Sequence, residues 1–417
     1  MEYGLIGAKL GHSYSRQIHE EIGGYSYELK ELPTRADAEA FLEARDFKAV
    51  NVTIPYKKLV IPYCDEVEPR AAAIGAVNTL VNRDGKLYGY NTDYDGFAYL
   101  ARRHGVRFRG KTVLILGSGG TRNTVAAVCR DRGAERVVTL SRSGADGCIT
   151  YEQAEASGEG QIIVNASPAG MYPNNGECLL DLKKFPDLEA VLDVVYNPFR
   201  TELLLRAEEL GIPAYCGMEM LVAQAVYASA RFLDRKVDLS HVERIHRDIR
   251  RQVSNISLIG MPGCGKSTVG RALARALGKT YVDLDDVIEQ VAKMPIPDIF
   301  AQRGEDVFRK YEADAVRECA KNHGQVIACG GGVIKTPGNA RLLRQNGPVL
   351  WIRRPVEKLP TTGRPLSMGG HSLKKMEAER TPLYRSGSDA AVDNFGRLSD
   401  TVRDAVEAFD QTFDPGN

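Results

Sequence analysis

KTVLILGSGGTRNTVAAVCRDRG, residues 111–133, and ISLIGMPGCGKSTVGRALARALG, residues 256–278, follow the same plan. Each opens with a short apolar, β-branched run, turns through glycines and continues with apolar residues at helical spacing. A strand feeding a helix through a glycine turn is the opening of a parallel α/β unit. In the first stretch Gly117 permits the tight turn, while Gly119 and Gly120 let backbone approach a pyrophosphate, with Ser118 and Thr121 in the same turn. The helix that starts near Thr121 aims free amides and its positive dipole end at that anion. In the second, Gly260-x-x-x-x-Gly265-Lys266-Ser267 is a complete phosphate loop. Backbone around Gly263, Cys264 and Gly265 would cradle phosphates, Lys266 reach the β and γ oxygens, and Ser267, followed by Thr268, ligate Mg²⁺.

Working outward, VLIL (113–116), RVVTL (136–140), QIIV (161–164) and AVLDVV (190–195) read as buried strands. After residue 252 the pattern restarts with ISLIG (256–260), YVDLD (281–285), QVIA (325–328) and PVLWI (348–352). Strands alternating with helical segments predict parallel α/β sheets in both halves. Residues before 100 differ: TLVN-RDGK-LYGY carries an Asp84-Gly85 hairpin signal, so this sheet is mixed. Between the halves, Ser240 can cap a helix with Val242, Ile245 and Ile249 on one face. The expected organisation is a substrate lobe over 1–95, rejoined by about 218–245, and a nucleotide lobe over 96–217. A connector over 246–253 then leads to a second α/β domain over 254–417. Each half carries its own motif set, so pieces 1–250 and 253–417 should each fold and work.

Composition narrows the chemistry. Fifty-five Lys and Arg against 54 Asp and Glu leave a formal charge of +1 over 417 residues. That is not the positive excess of a dedicated nucleic-acid binder, so small-molecule substrates are the default. Eight cysteines without C-x-x-C spacing argue against a zinc site or disulfide framework and suit a reducing cytoplasm. No run approaches the roughly 18 apolar residues of a membrane span, and no basic segment leads into an apolar N-terminal stretch. The expectation is a cytoplasmic enzyme without membrane or nucleic-acid partners.

Candidate site residues fall in short polar strings. LGHSYS (10–15), NVTIPYKK (51–58) and GAVNTL…GYNTDYDG (75–96) concentrate Ser13, Ser15, Asn51, Thr53, Lys57, Asn78, Thr92 and Asp93. Hydroxyls, amides, one cation and one carboxylate suit a small polyhydroxylated acid; singly, Ser13 could cap a helix and Asn78 close a turn. Beyond the strand 136–140 stands Ser141-Arg142-Ser143, a cation flanked by hydroxyls, which suits a ribose 2′-phosphate and favours NADP over NAD. Together with Asn165-Ala166-Ser167-Pro168-x-Gly170-Met171, Asp193-x-x-Tyr196-Asn197-Pro198 and Gly217-Met218 with Gln224, these strings resemble shikimate dehydrogenase over about residues 1–245. The resemblance implies a Rossmann NADP-binding lobe, Gly217 included, and hydride transfer between NADPH and 3-dehydroshikimate. It makes Lys57 the proton donor, hydrogen-bonded to Asp93. Ser13 and Ser15 would hold the carboxylate, with Thr53, Asn78, Tyr196 and Gln224 around the ring.

In the second half, Asp283 and Asp285 lie two apart at the end of an expected strand, so they should project to one side. One can sit near a metal and the other face a substrate hydroxyl; the plain alternative is a helix N-cap followed by dipole-favoured acids. Gly304-Glu305-x-x-Phe308-Arg309-x-x-Glu312, Gly330-Gly331-Gly332, Arg364 in TTGRPLS and Arg380 in ERTPLYR follow. This order resembles shikimate kinase over about 254–417, a P-loop domain like the nucleoside-monophosphate kinases, using ATP and Mg²⁺. The resemblance implies Asp285 on the accepting hydroxyl and Asp283 near Mg²⁺. Arg309 and Arg380 would grip the carboxylate, Gly331 line the site and Arg364 close over ATP. The segment 359–364 lacks an arginine that many members carry, a role Arg353 or Arg354 could fill. The implied whole is a two-step enzyme of the shikimate pathway, towards chorismate and the aromatic amino acids. Two alternatives are a quinate/shikimate dehydrogenase in front, or a sensor with one dead site. The presence of Lys57, Asp93, Lys266, Ser267 and Asp285 speaks against the latter.

Overall fold

The computed structural model describes residues 1–11, 13–359 and 373–413. They form two compact units, Met1–His246 and Arg247–Asn417. The first unit holds two sheets. One is six-stranded and mixed, in the order Glu28–Glu31, Tyr3–Gly7, Ala49–Val52, Thr79–Arg83, Lys86–Tyr90, Glu66–Val67. Its antiparallel hairpin turns on Asp84 and Gly85, with φ of 51° and 84°. Two left-handed residues give the tight turn whose twist matches the flanking strands. Both faces of this sheet are covered, which is why its central strands are apolar on each side. Ile6, Val50, Val52, Leu80 and Leu87 pack on one face. Leu5, Ala49 and Val81 face the other way, onto Ala228 and Phe232 of the helix Met218–Phe232.

The second sheet is parallel throughout, in the order Ala214–Tyr215, Ala190–Asp193, Ile162–Asn165, Thr112–Leu116, Arg136–Leu140. Thr112–Leu116, first in the chain, has neighbours on both sides, so successive crossovers diverge from it. A crevice opens at its carboxyl end, where ligands of such sheets bind. The helix Thr92–Arg103 leads from the first sheet to the second and packs along Met218–Phe232.

The second unit repeats the logic with the order Thr280–Asp283, Gln325–Ala328, Ile256–Ile259, Val349–Arg353, Ala390–Asp393, all parallel. Ile256–Ile259 is central and wholly buried, and it feeds the phosphate loop and the helix Lys266–Leu277. Leu258, Val269, Leu273, Val326, Tyr384 and Phe409 belong to one core.

The helix Ser240–Val253 contributes residues to both units, and Val242, Ile245 and Ile249 are fully buried. Ser240 is its first residue rather than its cap, because its hydroxyl donates to Asp238 Oδ1 at 2.7 Å. Its far end is tied down by Lys279, whose Nζ donates to the carbonyls of Arg251, Gln252 and Ser254 at 2.8, 2.9 and 2.8 Å. A cation there meets orphan carbonyls and the negative end of the dipole. Among the described residues no helix is long and apolar enough to cross a membrane.

Candidate active sites

A cleft of about 340 Å³ in the first unit is lined by Ser13, Ser15, Thr53, Lys57, Asn78, Asp93, Thr121, Tyr196, Gly217 and Gln224. Its defining contact is Lys57 Nζ to Asp93 Oδ2, 2.6 Å, with both side chains mostly shielded. Lys57 is held by its carbonyl, which accepts from Val77 N–H at 2.8 Å. Asp93 sits in the first turn of Thr92–Arg103, where the helix dipole favours a carboxylate. Asn78 steadies that turn: its Oδ1 accepts from Thr92 N–H at 2.7 Å, and its Nδ2 donates to Thr92 Oγ1 at 3.1 Å and Gln224 Oε1 at 3.5 Å. Asn51, also buried, donates to the Asn78 carbonyl and to Thr79 Oγ1 while accepting from Tyr27. Ser13 lies one residue ahead of Tyr14, the N-cap of the helix Ser15–Gly23, so it is not the cap; its Oγ accepts from Ser15 N–H at 3.2 Å and it lines the cleft. The rings of Tyr14 and Tyr196 lie 6.1 Å apart. Burial pushes the Tyr14 phenol up to about 12 and raises that of Tyr196, keeping both as neutral hydrogen-bond donors.

Beside the cleft, Gly117 closes the strand at φ 101°, and a Cβ there would lie 2.6 Å from Ser167 Cβ. Gly119 and Gly120 face open space at the start of the helix Gly120–Asp131, with Ser118 between the turn glycines and Thr121 in the first helical turn. The exposed amides and open approach fit a pyrophosphate. Ser141 and Ser143 are occupied in shaping their own turn, accepting from Gly144 and Ala145 N–H at 3.1 and 3.3 Å. Arg142 projects from it, 81% exposed, and pairs with Glu177 at 3.0 Å. Gly217 donates to the Val195 carbonyl at 3.0 Å, which brings its helix against the loop that carries Tyr196.

The second unit holds a cleft of about 490 Å³ lined by Gly263, Gly265, Lys266, Ser267, Thr268, Asp283, Asp285, Arg309, Gly331, Arg354 and Arg380. Gly265 stands at φ 100°, where a Cβ would meet Asn394 Nδ2 at 2.4 Å. Cys264 lends the loop its backbone, and its Sγ lies 3.9 Å from Lys266 Nζ. Its side chain is buried in the core and its carbonyl accepts from Asn394 at 2.8 Å. Lys266 Nζ folds back on the loop, donating to the Gly260 and Met261 carbonyls at 2.9 and 3.0 Å.

The strand ends at Asp283, so the two aspartates do not share a strand face. Asp283 is the N-cap of the helix Leu284–Ala292, its Oδ1 accepting from Asp285 N–H at 3.2 Å. Its Oδ2 accepts from Ser267 Oγ at 3.1 Å and Tyr281 Oη at 2.8 Å. Asp285 reaches the same cleft from the first helical turn instead. Its carboxyl is raised above the ordinary range, by burial first and by the neighbouring Asp283 second. The oxygens of Ser267 and Asp283 fit Mg²⁺, which takes one or two protein oxygens and leaves its other positions to phosphate and water.

Arg309 is gripped by Glu305 at 2.9 Å and Glu312 at 2.8 Å, and Arg380 donates to the Gly331 carbonyl at 2.9 Å. Arg364 lies outside the described residues.

A family model described as "Shikimate dehydrogenase substrate binding domain" matches residues 5–80, and one described as "Shikimate kinase" matches 262–409. The shikimate dehydrogenase (NADP(+)) of Clostridium perfringens (strain 13 / Type A) is 34% identical over 265 residues, covering 60% of this chain and 98% of its own. The chain belongs to the shikimate dehydrogenase family. C-terminal to that part it carries a shikimate kinase domain. Among solved structures, a chorismate mutase/shikimate 5-dehydrogenase fusion protein from Clostridium acetobutylicum is 33% identical, with a TM-score of 0.56 over 59% of this chain and 96% of that one. The shikimate 5-dehydrogenase of Thermus thermophilus, in complex with NADP(H) and shikimate, is 29% identical with a TM-score of 0.53, covering 60% and 99%.

Three residues in or beside the dehydrogenase and kinase clefts, Asp193, Tyr281 and Glu312, were given no role by the sequence reading. Asp193, fully buried, accepts from Asn165 Nδ2, Val195 N–H and Thr201 Oγ1 at 2.9, 2.9 and 2.7 Å, tying together two loops at the sheet's carboxyl end. Tyr281 braces Asp283. Glu312 braces Arg309, and its three-residue spacing on a helix was the available signal. Of the two arginines that the sequence offered near the lid, Arg354 lines the kinase cleft, whereas Arg353 pairs with Asp393 at 2.6 Å.

Proposed function

We propose that the chain carries out two consecutive steps, NADPH-dependent reduction of 3-dehydroshikimate to shikimate and ATP-dependent phosphorylation of shikimate to shikimate 3-phosphate. The observation that carries the first step is the shielded Lys57–Asp93 pair on a cleft otherwise lined by hydroxyls and amides. Bound NADPH would supply hydride to the carbonyl carbon. Lys57 gives a proton to the carbonyl oxygen as negative charge develops there, and Asp93 holds the ammonium in place and stabilises it when solvent restores the proton. Ser13 and Ser15 hold the substrate carboxylate, with Thr53, Asn78, Tyr196 and Gln224 around the ring. The turn 117–121, Gly217 and Ser141-Arg142-Ser143 hold NADP(H), with Arg142 on the 2′-phosphate.

In the second unit, ATP with Mg²⁺ would supply the phosphoryl group. Asp285 orients the accepting hydroxyl and takes its proton, a task its raised pKa suits. Lys266 and the loop 263–268 hold the phosphates, joined by Arg364; Ser267 and Asp283 hold the metal, and Arg309, Arg380 and Gly331 the substrate acid. We assign 1–95 with about 218–245 to the first substrate lobe, 96–217 to the NADP lobe and 254–417 to the kinase. Eight free thiols suit the reducing cytoplasm.

The test is one coupled assay with 3-dehydroshikimate, NADPH and Mg-ATP, following NADPH loss and ADP formation. ADP should form only after reduction begins, and quinate with NAD should be turned over poorly. NADPH loss without ADP formation would sink the two-step reading.

A further inference from the structure

Arg354 follows the strand Val349–Arg353 and lines the kinase cleft. Its Nε is buried and has no hydrogen-bond partner among the described residues. Each of the other three cations lining that cleft among the described residues is engaged. Lys266 bonds two loop carbonyls, Arg309 bonds Glu305 and Glu312, and Arg380 bonds the Gly331 carbonyl. Arg353 takes the other side of the chain and is paired with Asp393. A guanidinium cannot give up its charge, so an unanswered buried N–H persists as a cost until an acceptor arrives.

The location indicates which acceptor. A Cβ on Gly260 would meet the Ile352 carbonyl at 2.4 Å, so this strand end runs directly beside the start of the phosphate loop. Arg354, two residues beyond Ile352, comes out next to that loop. We propose that Arg354 is a phosphate-binding residue of the kinase cleft, holding the β- and γ-phosphate oxygens of ATP from a rigid strand end. Its planar fork matches phosphate oxygens in a way a point charge does not. The inference rests on the assignment of this cleft to ATP and deepens it.

The test is calorimetric titration of the full chain, with Mg²⁺ present and shikimate absent, using ATP, ADP and AMP in turn. Arg354→Met should weaken ATP by roughly ten- to hundredfold, the scale of a hydrogen bond to a charged group, and ADP by less. AMP, and shikimate titrated separately, should bind as in the parent, and Arg353→Met should leave ATP affinity unchanged. Should Arg354→Met misfold, Arg354→Gln is read in the same way. Parent-like ATP affinity in the variant, or a loss that falls on shikimate instead, overturns the proposal. A parent chain that fails to bind ATP would instead overturn the assignment of the cleft.

Discussion

Arg142 shows how one side chain can be legible in sequence while its state is not. A cation between two serines after the second strand of a dinucleotide fold points to a 2′-phosphate, but the serines are spent on their own turn and Arg142 is paired with Glu177. Glu177 lies 35 residues further on, in a loop that no local pattern connects to Arg142. If Arg142 reads the phosphate, Glu177 competes for it. Glu177→Gln should then tighten NADPH by about two- to fivefold, the scale of an exposed ion pair, and leave NADH unchanged. Arg142→Ala should weaken NADPH selectively and abolish the effect of Glu177→Gln in the double variant. Fluorescence titration of both cofactors measures this, and equal weakening of NADH would remove Arg142 from the phosphate site.

At the scale of elements, the strand Ala190–Asp193 ends on a carboxylate that organises two loops. Burial lifts the Asp193 carboxyl to about 7, opposed by its three donors. Between about pH 4 and 7 the folded unit keeps a proton that the unfolded chain, with a carboxyl near 3.9, has released. Local stability therefore falls as pH rises through that window and is flat above it. Hydrogen exchange over residues 190–201, converted to opening free energies, should show this fall in the parent and not in Asp193→Asn.

The helix Ser240–Val253 makes a second prediction. Its last turns belong to the kinase unit, through the Arg251–Asp410 pair at 2.7 Å and the Lys279 cap. A piece starting at 253 loses Arg251 and two of the three carbonyls that Lys279 holds. It should be about 1–3 kcal/mol less stable to urea than a piece starting at 247. Equal midpoints would show that the helix end adds nothing to the kinase unit.

For the whole molecule, two candidate clefts in separate units predict activities that can be removed one at a time. Lys57→Ala should lower NADPH-dependent turnover by about 10²–10⁴-fold and leave shikimate phosphorylation intact. Asp285→Asn should do the reverse, with ATP still bound; the two assays run separately on each variant decide it, and loss of both activities from either change would refute independence.

Much of this was legible in the sequence because it rests on local rules. The glycine turns, the phosphate loop, the Asp84-Gly85 hairpin and the alternating strands each need only neighbours along the chain, and the mixed and parallel sheets followed from them. Backbone constraint at this range is set by residue type: a φ near 100° at Gly117 or Gly265 is open to almost nothing but glycine. What the sequence could not determine depends on residues far apart along the chain and near in space. Lys57 meets Asp93 across 36 residues, a contact that only the family resemblance implied, Asn78 meets Gln224 across 146, and Asp193 reaches back 28 residues to Asn165 as well as to Val195 and Thr201 in the loop that follows it. Asp283 became a cap and Asp285 a helical residue because the strand stopped two residues early, which is the N-cap reading the sequence had also left open. Arg354 faced the cleft and Arg353 did not because adjacent residues at a strand end point to opposite sides, and only the packed sheet sets which side is which.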